Sequence, residues 1–325
     1  MEAKKICAYK VGKVRIESYE IPHIGEEDVL IKTLYSTISP GTELAWINHM
    51  ENTPGKYPYE PGYSCCGRII QTGSKVKKVE VGDIVVCNYI HCSEFVIPEK
   101  KCTRVPESID PKEASAFRLA SISLQGVRKA DIQIGDRVAV LGLGPIGNLA
   151  AQMARVAGAG ETTGFDFVEW RRRLAEECKI LPTAENGDEE KYQSTFDVVI
   201  EATGVPQAIN TALKMVKPLG KVVLLGSTRG CTDGVNFYRD VHRKGIVVIG
   251  AHEMHRSQDE QDAFGHFRSH KKDEETVIHL LAQGRVHMEP LVSEVTEPER
   301  TQEIYQRLLE KKEQLMLAAF RWCSE

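Results

Sequence analysis

Long apolar runs and an excess of charge of one sign are both missing from this sequence. No apolar run reaches the roughly 20 residues that a membrane span requires, because glycine and proline interrupt the best candidate. The 46 acidic residues barely exceed the 42 basic ones, and the formal net charge is −4. That balance gives no electrostatic reason to expect an anionic partner. The sequence therefore predicts a protein that binds neither nucleic acid nor a membrane.

A secretion signal and a disulfide ladder are also missing. The first residues, MEAKKICAYK, lack the apolar core of a secretory signal. The nine cysteines are an odd number, and their spacings do not resemble a disulfide framework. Both absences favour a reducing, cytoplasmic location. At 325 residues the chain is too long for one comfortable hydrophobic core, so two domains are expected.

The sequence shows two patterns of predicted secondary structure, one after the other. Short β-rich runs separated by glycine and proline fill the part up to residue 117 and predict a compact, strand-rich domain. From 118 to 261 strands alternate with helices, and the strands are continuous runs of Val, Ile and Leu. Strands of that kind are covered on both faces, as in a doubly wound parallel sheet. The sequence therefore predicts an α/β protein with domains at 1–117 and 118–261 and a mixed segment at 262–325.

Three glycines follow the predicted strand that ends near residue 141. Gly142, Gly144 and Gly147 have G-x-G-x-x-G spacing and open a predicted helix. The first permits a tight turn, the second lets the backbone approach a pyrophosphate, and the third allows close helix–strand packing. Pro145 falls in the first helical turn, where its missing N–H costs little. This pattern predicts a dinucleotide site at the helix N-terminus.

The identity of the dinucleotide depends on Asp166, which ends the next predicted strand 19 residues after Gly147. A carboxylate there accepts hydrogen bonds from the ribose hydroxyls and repels a 2′-phosphate, so NAD is expected rather than NADP. Arg171 begins a run of three arginines and favours NADP instead, since a guanidinium can neutralise the 2′-phosphate. Further predicted cofactor contacts are Ile146, Ala202, Thr203 and Gly226.

The order of these parts resembles the medium-chain dehydrogenase/reductase superfamily over nearly the whole chain. The stretches that carry the resemblance are residues 76–86, 131–159, 196–209 and 218–226. The resemblance implies a GroES-like catalytic domain, a Rossmann domain, and a C-terminal segment that rejoins the first domain. Many members are zinc alcohol and polyol dehydrogenases. The stretches STISPGTE and PGYSCCG are similar to a subgroup that includes bacteriochlorophyllide and antibiotic-sugar or cyclitol dehydrogenases.

The chain departs from the zinc members at the ligand positions that the resemblance assigns. Pro40 replaces a cysteine, Gly62, Tyr63 and Ser64 replace a Gly-His-Glu stretch, and Arg118 aligns with the fourth ligand. None of these side chains is a normal zinc ligand, which is a thiolate, imidazole or carboxylate. The four-cysteine lobe that holds structural zinc is missing as well. The sequence therefore predicts an enzyme without catalytic zinc.

A substitute metal site is conceivable around Cys65, Cys66, His91 and Cys92. Neighbouring residues on a strand point to opposite faces, so one residue of each adjacent pair is expected to belong to the core. We therefore predict buried core thiols in a reduced protein rather than a metal site.

Alcohol oxidation without zinc needs another source of positive potential and a path for the hydroxyl proton. By the resemblance, Thr42 takes the position of the relay hydroxyl, and Glu43 that of the acid that supports the metal shell. Glu43 would orient Thr42 or act as a base. Tyr63 brings a phenol and Arg118 a permanent cation, and we predict that they replace the Lewis acid. Other roles stay open: Arg118 as the partner of Glu43 or Glu113, Tyr63 as a packed residue, and Thr42 as a helix cap.

These observations predict a zinc-independent, NAD-dependent enzyme that interconverts a secondary alcohol and a ketone on a polar, sugar- or cyclitol-like molecule. The alternatives are an NAD(P)H-dependent quinone or enone reductase and a dinucleotide-binding protein without catalysis. The resemblance also implies pairing of Rossmann sheets through the strand in residues 245–250. A homodimer is therefore expected, with a tetramer as the alternative.

Overall fold

The computed structural model describes residues 2–185, 189–254, 268–310 and 314–323. The chain divides into two compact units. The first unit consists of Met1–Arg118, Glu274–Ala282 and Leu291–Glu325, and the second of Leu119–Asp273 and Gln283–Pro290. The segment predicted at 262–325 is thus shared between the units, and its residues 262–267 lie outside the described residues.

The strands of the first unit come from both ends of the chain. They are β1 (Glu2–Lys10), β2 (Lys13–Glu20), β3 (Asp28–Thr37), β4 (Cys65–Thr72), β5 (Ile84–Cys87), β6 (Glu94–Pro98), β7 (Cys102–Arg104), β14 (Val292–Thr296) and β15 (Leu317–Arg321). The second unit has β8 (Arg137–Leu141), β9 (Glu161–Phe165), β10 (Thr183–Ala184), β11 (Phe196–Glu201), β12 (Val216–Leu224) and β13 (Val247–Gly250). The α-helices are α1 (Pro40–Ile47), α2 (Pro111–Ala114), α3 (Phe117–Ala130), α4 (Pro145–Ala157), α5 (Glu169–Glu177), α6 (Pro206–Met215), α7 (His270–Ala282) and α8 (Thr301–Glu310).

Strand β3 is the centre of the first unit. It pairs antiparallel with β4, β6 and β15, and the sheet order is β14-β15-β3-β4-β5-β7 with β6 attached to β3. Strands β1 and β2 form a separate two-stranded sheet. The pairing of Ser36 with Phe320 brings the C-terminal strand beside the residues that lead into α1. This pairing places residues from opposite ends of the chain around one buried cluster.

The second unit contains a sheet of parallel strands in the order β10-β9-β8-β11-β12-β13. Its central strands are covered on both faces, and Val138, Val140 and Val199 are completely buried. Helices α4, α5 and α6 connect strands of this sheet, as the alternating sequence pattern predicts. The predicted α/β class with a doubly wound parallel sheet is confirmed. In the described part of the chain, no helix has the length and apolar content needed to cross a bilayer.

Candidate active site and dinucleotide site

The glycine-rich loop of the second unit joins β8 to α4. Gly142 has φ +87°, a conformation that glycine adopts readily, and a Cβ on Gly147 would lie 1.8 Å from the carbonyl oxygen of Gly142. A Cβ on Gly144 would meet no described atom within 4 Å, so this position opens on free space. Gly144 is the N-cap residue of α4 and Pro145 follows it at the first helical position. An open glycine at a helix N-terminus fits a pyrophosphate.

Asp166 is tied to this loop by its own carboxylate. Its Oδ2 accepts a hydrogen bond from the Leu143 N–H at 2.8 Å, and its Oδ1 accepts one from the Val168 N–H at 2.9 Å. The guanidinium Nη1 of Arg171 lies 3.6 Å from Oδ2. Arg172 donates to the Asp166 carbonyl oxygen at 2.6 Å. The structure thus places Asp166 and Arg171 in contact at the end of β9, where the sequence analysis expects the ribose.

The remaining predicted cofactor contacts lie around the same loop. A Cβ on Gly142 would come within 2.8 Å of the Thr203 methyl group, and one on Gly147 within 3.2 Å of the Ala202 methyl group. Gly226 is close to the same turn, since a Cβ there would lie 2.5 Å from the backbone nitrogen of Gly204. Ile146, half-buried, follows Pro145 in α4. The structure therefore brings all of these residues together around the glycine loop.

Glu201 is a buried residue at this turn that the sequence analysis missed. Its Oε1 accepts hydrogen bonds from the Thr203 N–H at 2.6 Å and the Gly204 N–H at 3.2 Å. Burial raises the pKa of the Glu201 carboxyl. Glu201 thus holds the Thr203–Gly204 turn against the glycine loop. The signal that would have found it is an acidic residue at the carboxyl end of an apolar strand, since Glu201 is the last residue of β11.

In the first unit, a cluster of hydroxyl groups surrounds the phenol of Tyr63. Tyr63 precedes β4, and its hydroxyl donates to the Ser39 hydroxyl oxygen and is also hydrogen-bonded with the Thr42 side chain. Burial raises the pKa of Tyr63 to about 12. The phenol is therefore protonated at neutral pH, in the form that can donate a proton or a hydrogen bond.

Thr42 lies inside α1 rather than at its start. The N-cap residue is Ser39, and Pro40 occupies the first helical position, for which its fixed φ is suited. The interpretation of Thr42 as the helix cap is therefore wrong. Its side chain instead takes part in the hydroxyl cluster around Tyr63.

Arg118 is buried next to this cluster. Its backbone N–H donates to the Ser64 hydroxyl oxygen at 3.3 Å, and its Nη1 lies 3.9 Å from Oε1 of Glu274, on α7. Its positive charge acts to lower the pKa of Tyr63, against the larger effect of burial. The acidic partner that the sequence analysis missed is thus Glu274, which is far along the chain.

Glu43 is completely buried beneath the hydroxyl cluster. Its Oε1 accepts a hydrogen bond from the Ser39 N–H at 2.7 Å. Its Oε2 accepts one from the Tyr305 hydroxyl and lies 3.0 Å from His91 Nε2. The carboxylate thus contacts the backbone of Ser39, one residue before α1, and the side chains of His91 and Tyr305.

The sequence analysis placed His91 among the core residues and missed its partners. Nδ1 of His91 lies 2.7 Å from the Ser36 hydroxyl oxygen, which also accepts a hydrogen bond from the Trp322 indole N–H at 2.8 Å. The ring packs edge-on against Phe320 at 5.1 Å between centroids. These partners are distant in sequence, and the one local signal is Gly62, where a Cβ would lie 2.4 Å from the His91 backbone nitrogen.

The side chains at the positions that the resemblance assigns to zinc ligands do not fit zinc. Tyr63 is a protonated phenol, the Ser64 hydroxyl donates to the Ser115 carbonyl oxygen at 2.6 Å, and Arg118 is a cation. Pro40 has no donor atom on its side chain. Across the described ranges, no group of three His, Cys, Asp or Glu side chains is placed to hold a metal ion. Cys65, Cys66 and Cys92 are buried thiols outside any disulfide, and burial raises the pKa of Cys65 and Cys92.

Comparison with known proteins agrees with these two units. Residues 25–114 match the alcohol dehydrogenase GroES-like domain family, and residues 145–269 match the zinc-binding dehydrogenase family. D-guloside 3-dehydrogenase of Shigella flexneri is 29% identical over 78% of this chain and 74% of its own length. Sorbitol dehydrogenase of Bacillus subtilis is 24% identical over 96% of this chain and 95% of its own length.

The fold also resembles solved structures. A zinc-binding dehydrogenase from Sinorhizobium meliloti 1021, determined with bound NADP, superposes with a TM-score of 0.84 and 21% identity. The match covers 99% of each chain. The strand-rich unit, the parallel sheet with its glycine loop, and the two matching families together identify the chain. It belongs to the medium-chain dehydrogenase/reductase superfamily and is an alcohol dehydrogenase-like oxidoreductase.

Proposed function

We propose that this protein is a zinc-independent, NAD-dependent oxidoreductase that interconverts a secondary alcohol and a ketone on a sugar- or cyclitol-like substrate. The observation that carries the proposal is the Tyr63 phenol. It is hydrogen-bonded with Ser39 and Thr42, stays protonated at neutral pH, and lies close enough to Arg118 for that charge to act on its pKa. The relatives named D-guloside 3-dehydrogenase and sorbitol dehydrogenase support a polyhydroxylated substrate.

The hydroxyl cluster can perform the proton transfer that the reaction needs. A bound nicotinamide would supply or accept the hydride. In ketone reduction Tyr63 donates its proton to the carbonyl oxygen, and the hydroxyls of Ser39 and Thr42 relay a proton from solvent water to the phenol oxygen, each taking one proton as it gives one. The guanidinium of Arg118 stabilises the negative charge that develops on the substrate oxygen. Oxidation uses the same groups in reverse order.

We infer that Glu43 positions this cluster rather than accepting the substrate proton. Its two oxygens are occupied by Ser39, His91 and Tyr305, and its side chain is completely buried. A carboxylate with those partners is well suited to hold the backbone of Ser39. It is poorly suited to reach a substrate hydroxyl.

NAD is the proposed coenzyme because of Asp166. Its carboxylate lies at the end of β9 and is held by the N–H groups of Leu143 and Val168. A carboxylate at that position repels a 2′-phosphate. The charge of Arg171 beside it reduces this repulsion without replacing the carboxylate.

We also propose that two copies pair through β13. This strand is the edge of the parallel sheet, and Val247 and Val248 are 51% and 42% exposed. Large exposed apolar side chains also occur nearby in sequence, at Phe237 and Tyr238. An uncovered apolar edge strand invites pairing with another strand, and a two-fold dimer satisfies it.

None of the nine cysteines forms a disulfide, and seven of them are buried. Reduced thiols of this kind persist in a reducing compartment. We therefore infer a cytoplasmic location.

The test is made on the purified full chain. Its metal content is measured, and its affinities for NADH and NADPH are determined by titration. Turnover of sugar alcohols, cyclitols and the matching ketones is then measured before and after dialysis against EDTA. We expect turnover with NAD(H) that survives chelation. One zinc per chain, with activity lost on chelation, would contradict the proposal. Reduction of a C=C bond would indicate an enone reductase, and coenzyme binding without any turnover would indicate a non-catalytic protein.

A further inference from the structure

A chain of side chains, buried except for the half-buried Trp322, lies directly behind the contact between Tyr63 and Ser39. Its members come from four separate segments of the first unit and are joined by hydrogen bonds. In order they are Trp322, Ser36, His91, Glu43 and Ser39. The proposed function uses Tyr63 and Ser39 but assigns no role to Trp322, Ser36 or His91.

The direction of these hydrogen bonds follows from the groups at the two ends of the chain. An indole N–H can only donate, so the Ser36 oxygen accepts from Trp322. The Glu43 carboxylate can only accept, so His91 donates to it from Nε2, 3.0 Å away. A neutral imidazole that carries its proton on Nε2 accepts at Nδ1, and the Ser36 hydroxyl donates to it there over 2.7 Å.

At its Ser39 end, this chain of hydrogen bonds reaches the Tyr63 phenol. The other oxygen of Glu43 accepts from the Ser39 N–H, and Tyr305 donates to Oε2. With three donors around it, the carboxylate has one orientation in which all of them are satisfied. Ser39, which Glu43 holds, carries the hydroxyl that contacts the Tyr63 phenol.

Backbone hydrogen bonds to β3 fix the Trp322 end of the chain of hydrogen bonds. The Trp322 backbone N–H donates to the Leu34 carbonyl oxygen at 2.9 Å, and Ser36 pairs with Phe320 in the adjacent strand. Trp322 directly follows β15, and this backbone hydrogen bond ties it to β3. A rigid support is what a side chain needs if it is to hold another group in one position.

We propose that Trp322 and His91 are positioning residues for Tyr63. The Trp322 indole holds the Ser36 hydroxyl against His91, His91 orients Glu43, and Glu43 holds Ser39 so that its hydroxyl meets the phenol. These hydrogen bonds hold Tyr63 in one orientation, as supporting hydrogen bonds orient the metal ligands of metalloenzymes. The proposal rests on the proposed function, because it assumes that Tyr63 is the proton donor.

The first test is kinetic. Trp322→Phe removes the indole N–H and keeps an aromatic ring, and His91→Leu breaks the chain at its centre. We expect kcat to fall about 10- to 100-fold in both, the range observed when a supporting hydrogen bond is lost, with KM little changed. His91→Gln keeps a donor for Glu43 and an acceptor for Ser36, so we expect it to recover most of the lost kcat. Tyr19→Phe is the control, since it removes a hydroxyl that donates to the Glu94 carbonyl in the same unit.

The second test does not depend on turnover. The protein is labelled with 3-fluorotyrosine, and the ¹⁹F resonance of Tyr63 is identified by its loss in Tyr63→Phe. We expect this resonance to shift in Trp322→Phe and His91→Leu but not in Tyr19→Phe. The ¹⁵N spectrum of the His91 ring should show a proton on Nε2 and none on Nδ1 in the wild type.

The two tests separate the two proposals. A shifted Tyr63 resonance in a protein without any turnover would support the positioning chain and contradict the proposed function. Normal kcat and an unshifted resonance in both Trp322→Phe and His91→Leu would overturn the positioning chain, whatever the substrate. If His91→Leu does not fold, Trp322→Phe alone decides, because the aromatic ring and the strand pairing of residue 322 are retained.

Discussion

Gly62 and His91 lie so close together that only a glycine fits at position 62. A Cβ there would be 2.4 Å from the His91 backbone nitrogen and 2.7 Å from Cγ of its ring. Gly62 also has φ +100°, which L-residues with side chains rarely adopt. The preceding carbonyl oxygen, of Pro61, accepts a hydrogen bond from the His91 N–H at 2.9 Å. The glycine before Tyr63 thus allows the segments that carry Tyr63 and His91 to touch.

Replacing Gly62 with alanine should lower the free energy of unfolding by more than the strain of a positive φ angle alone. Gly82 is a matched control, since it also has φ +100° but a Cβ there would meet no described atom within 4 Å. We expect Gly82→Ala to cost about 1–2 kcal/mol, the cost of a left-handed conformation, and Gly62→Ala clearly more. Urea unfolding of both variants measures the difference, and equal free energies of unfolding would show that the contact with His91 is unimportant.

Tyr63→Phe should lower kcat about 100-fold or more, because a donor that stabilises charge in the transition state is removed. Affinity for the coenzyme should stay unchanged, as the phenol belongs to the hydroxyl cluster of the first unit. Steady-state kinetics and a coenzyme titration check both expectations. Tyr57→Phe is the control, since that phenol donates to the Ile47 carbonyl oxygen, away from Ser39. Full activity in Tyr63→Phe would exclude Tyr63 as the proton donor.

The protein should lose stability at alkaline pH through its buried phenols. Burial raises the pKa of Tyr63 from an ordinary value of 10.0 to about 12, and burial together with the Glu43 charge raises the pKa of Tyr305. The unfolded chain therefore releases these protons at a lower pH than the folded one. The stabilisation is complete below pH 10 and is lost as the pH rises towards 12 and beyond.

The measurement is the free energy of unfolding in urea between pH 9 and pH 12. Each phenol contributes a slope of at most about 1.4 kcal/mol per pH unit. Tyr63→Phe should reduce the slope between pH 10 and pH 12, since it removes the group whose pKa changes on folding. A slope unaltered by this substitution would show that Tyr63 ionises at an ordinary pH.

Asp166→Ala should weaken NADH binding roughly tenfold, which corresponds to about 1.4 kcal/mol, and improve NADPH binding relative to NADH. The reason is loss of the carboxylate that accepts from the ribose and repels a 2′-phosphate, while Arg171 remains. Fluorescence titration with both coenzymes is the measurement. Glu161→Ala is the control, because Glu161 begins the same strand and pairs with Arg137 at 3.1 Å. An unchanged ratio of the two affinities would rule out Asp166 as the selecting residue.

Val248→Lys should convert a dimer into a monomer, because a charge would be placed on the exposed edge strand β13. Val81→Lys is the control, since Val81 is an exposed valine of the first unit. Light scattering on the eluting protein measures the mass directly. A wild-type mass of one chain, or a Val248→Lys variant that keeps the double mass, would argue against pairing through β13.

The parts predicted best from sequence are those whose determinants lie within one short stretch. The glycine loop needs only Gly142, Gly144 and Gly147 between a buried strand and a helix, and the structure has that arrangement. The parallel sheet followed from unbroken runs of apolar residues, which are buried on both faces. The family resemblance also rested on such local stretches and is confirmed.

The buried chain behind Tyr63 had no comparable signal. Ser36, Glu43, His91, Tyr305 and Trp322 are ordinary residues in sequence, and nothing in their spacing relates them. The pairing of β3 with β15 brings Trp322 to Ser36, and the packing of α1 and α8 brings Tyr305 to Glu43. Likewise, the contact between Arg118 and Glu274 is one that no local pattern indicates.

The sequence by itself determined the fold class and the dinucleotide loop, whereas the loss of zinc stays a prediction. Those properties depend on residue type and on local spacing, and hydrophobic burial and backbone sterics act at that range. Only the tertiary structure decided which polar side chains meet in the core. A buried carboxylate such as Glu43 must find donors wherever the strands and helices bring them, and those donors came from residues 39, 91 and 305.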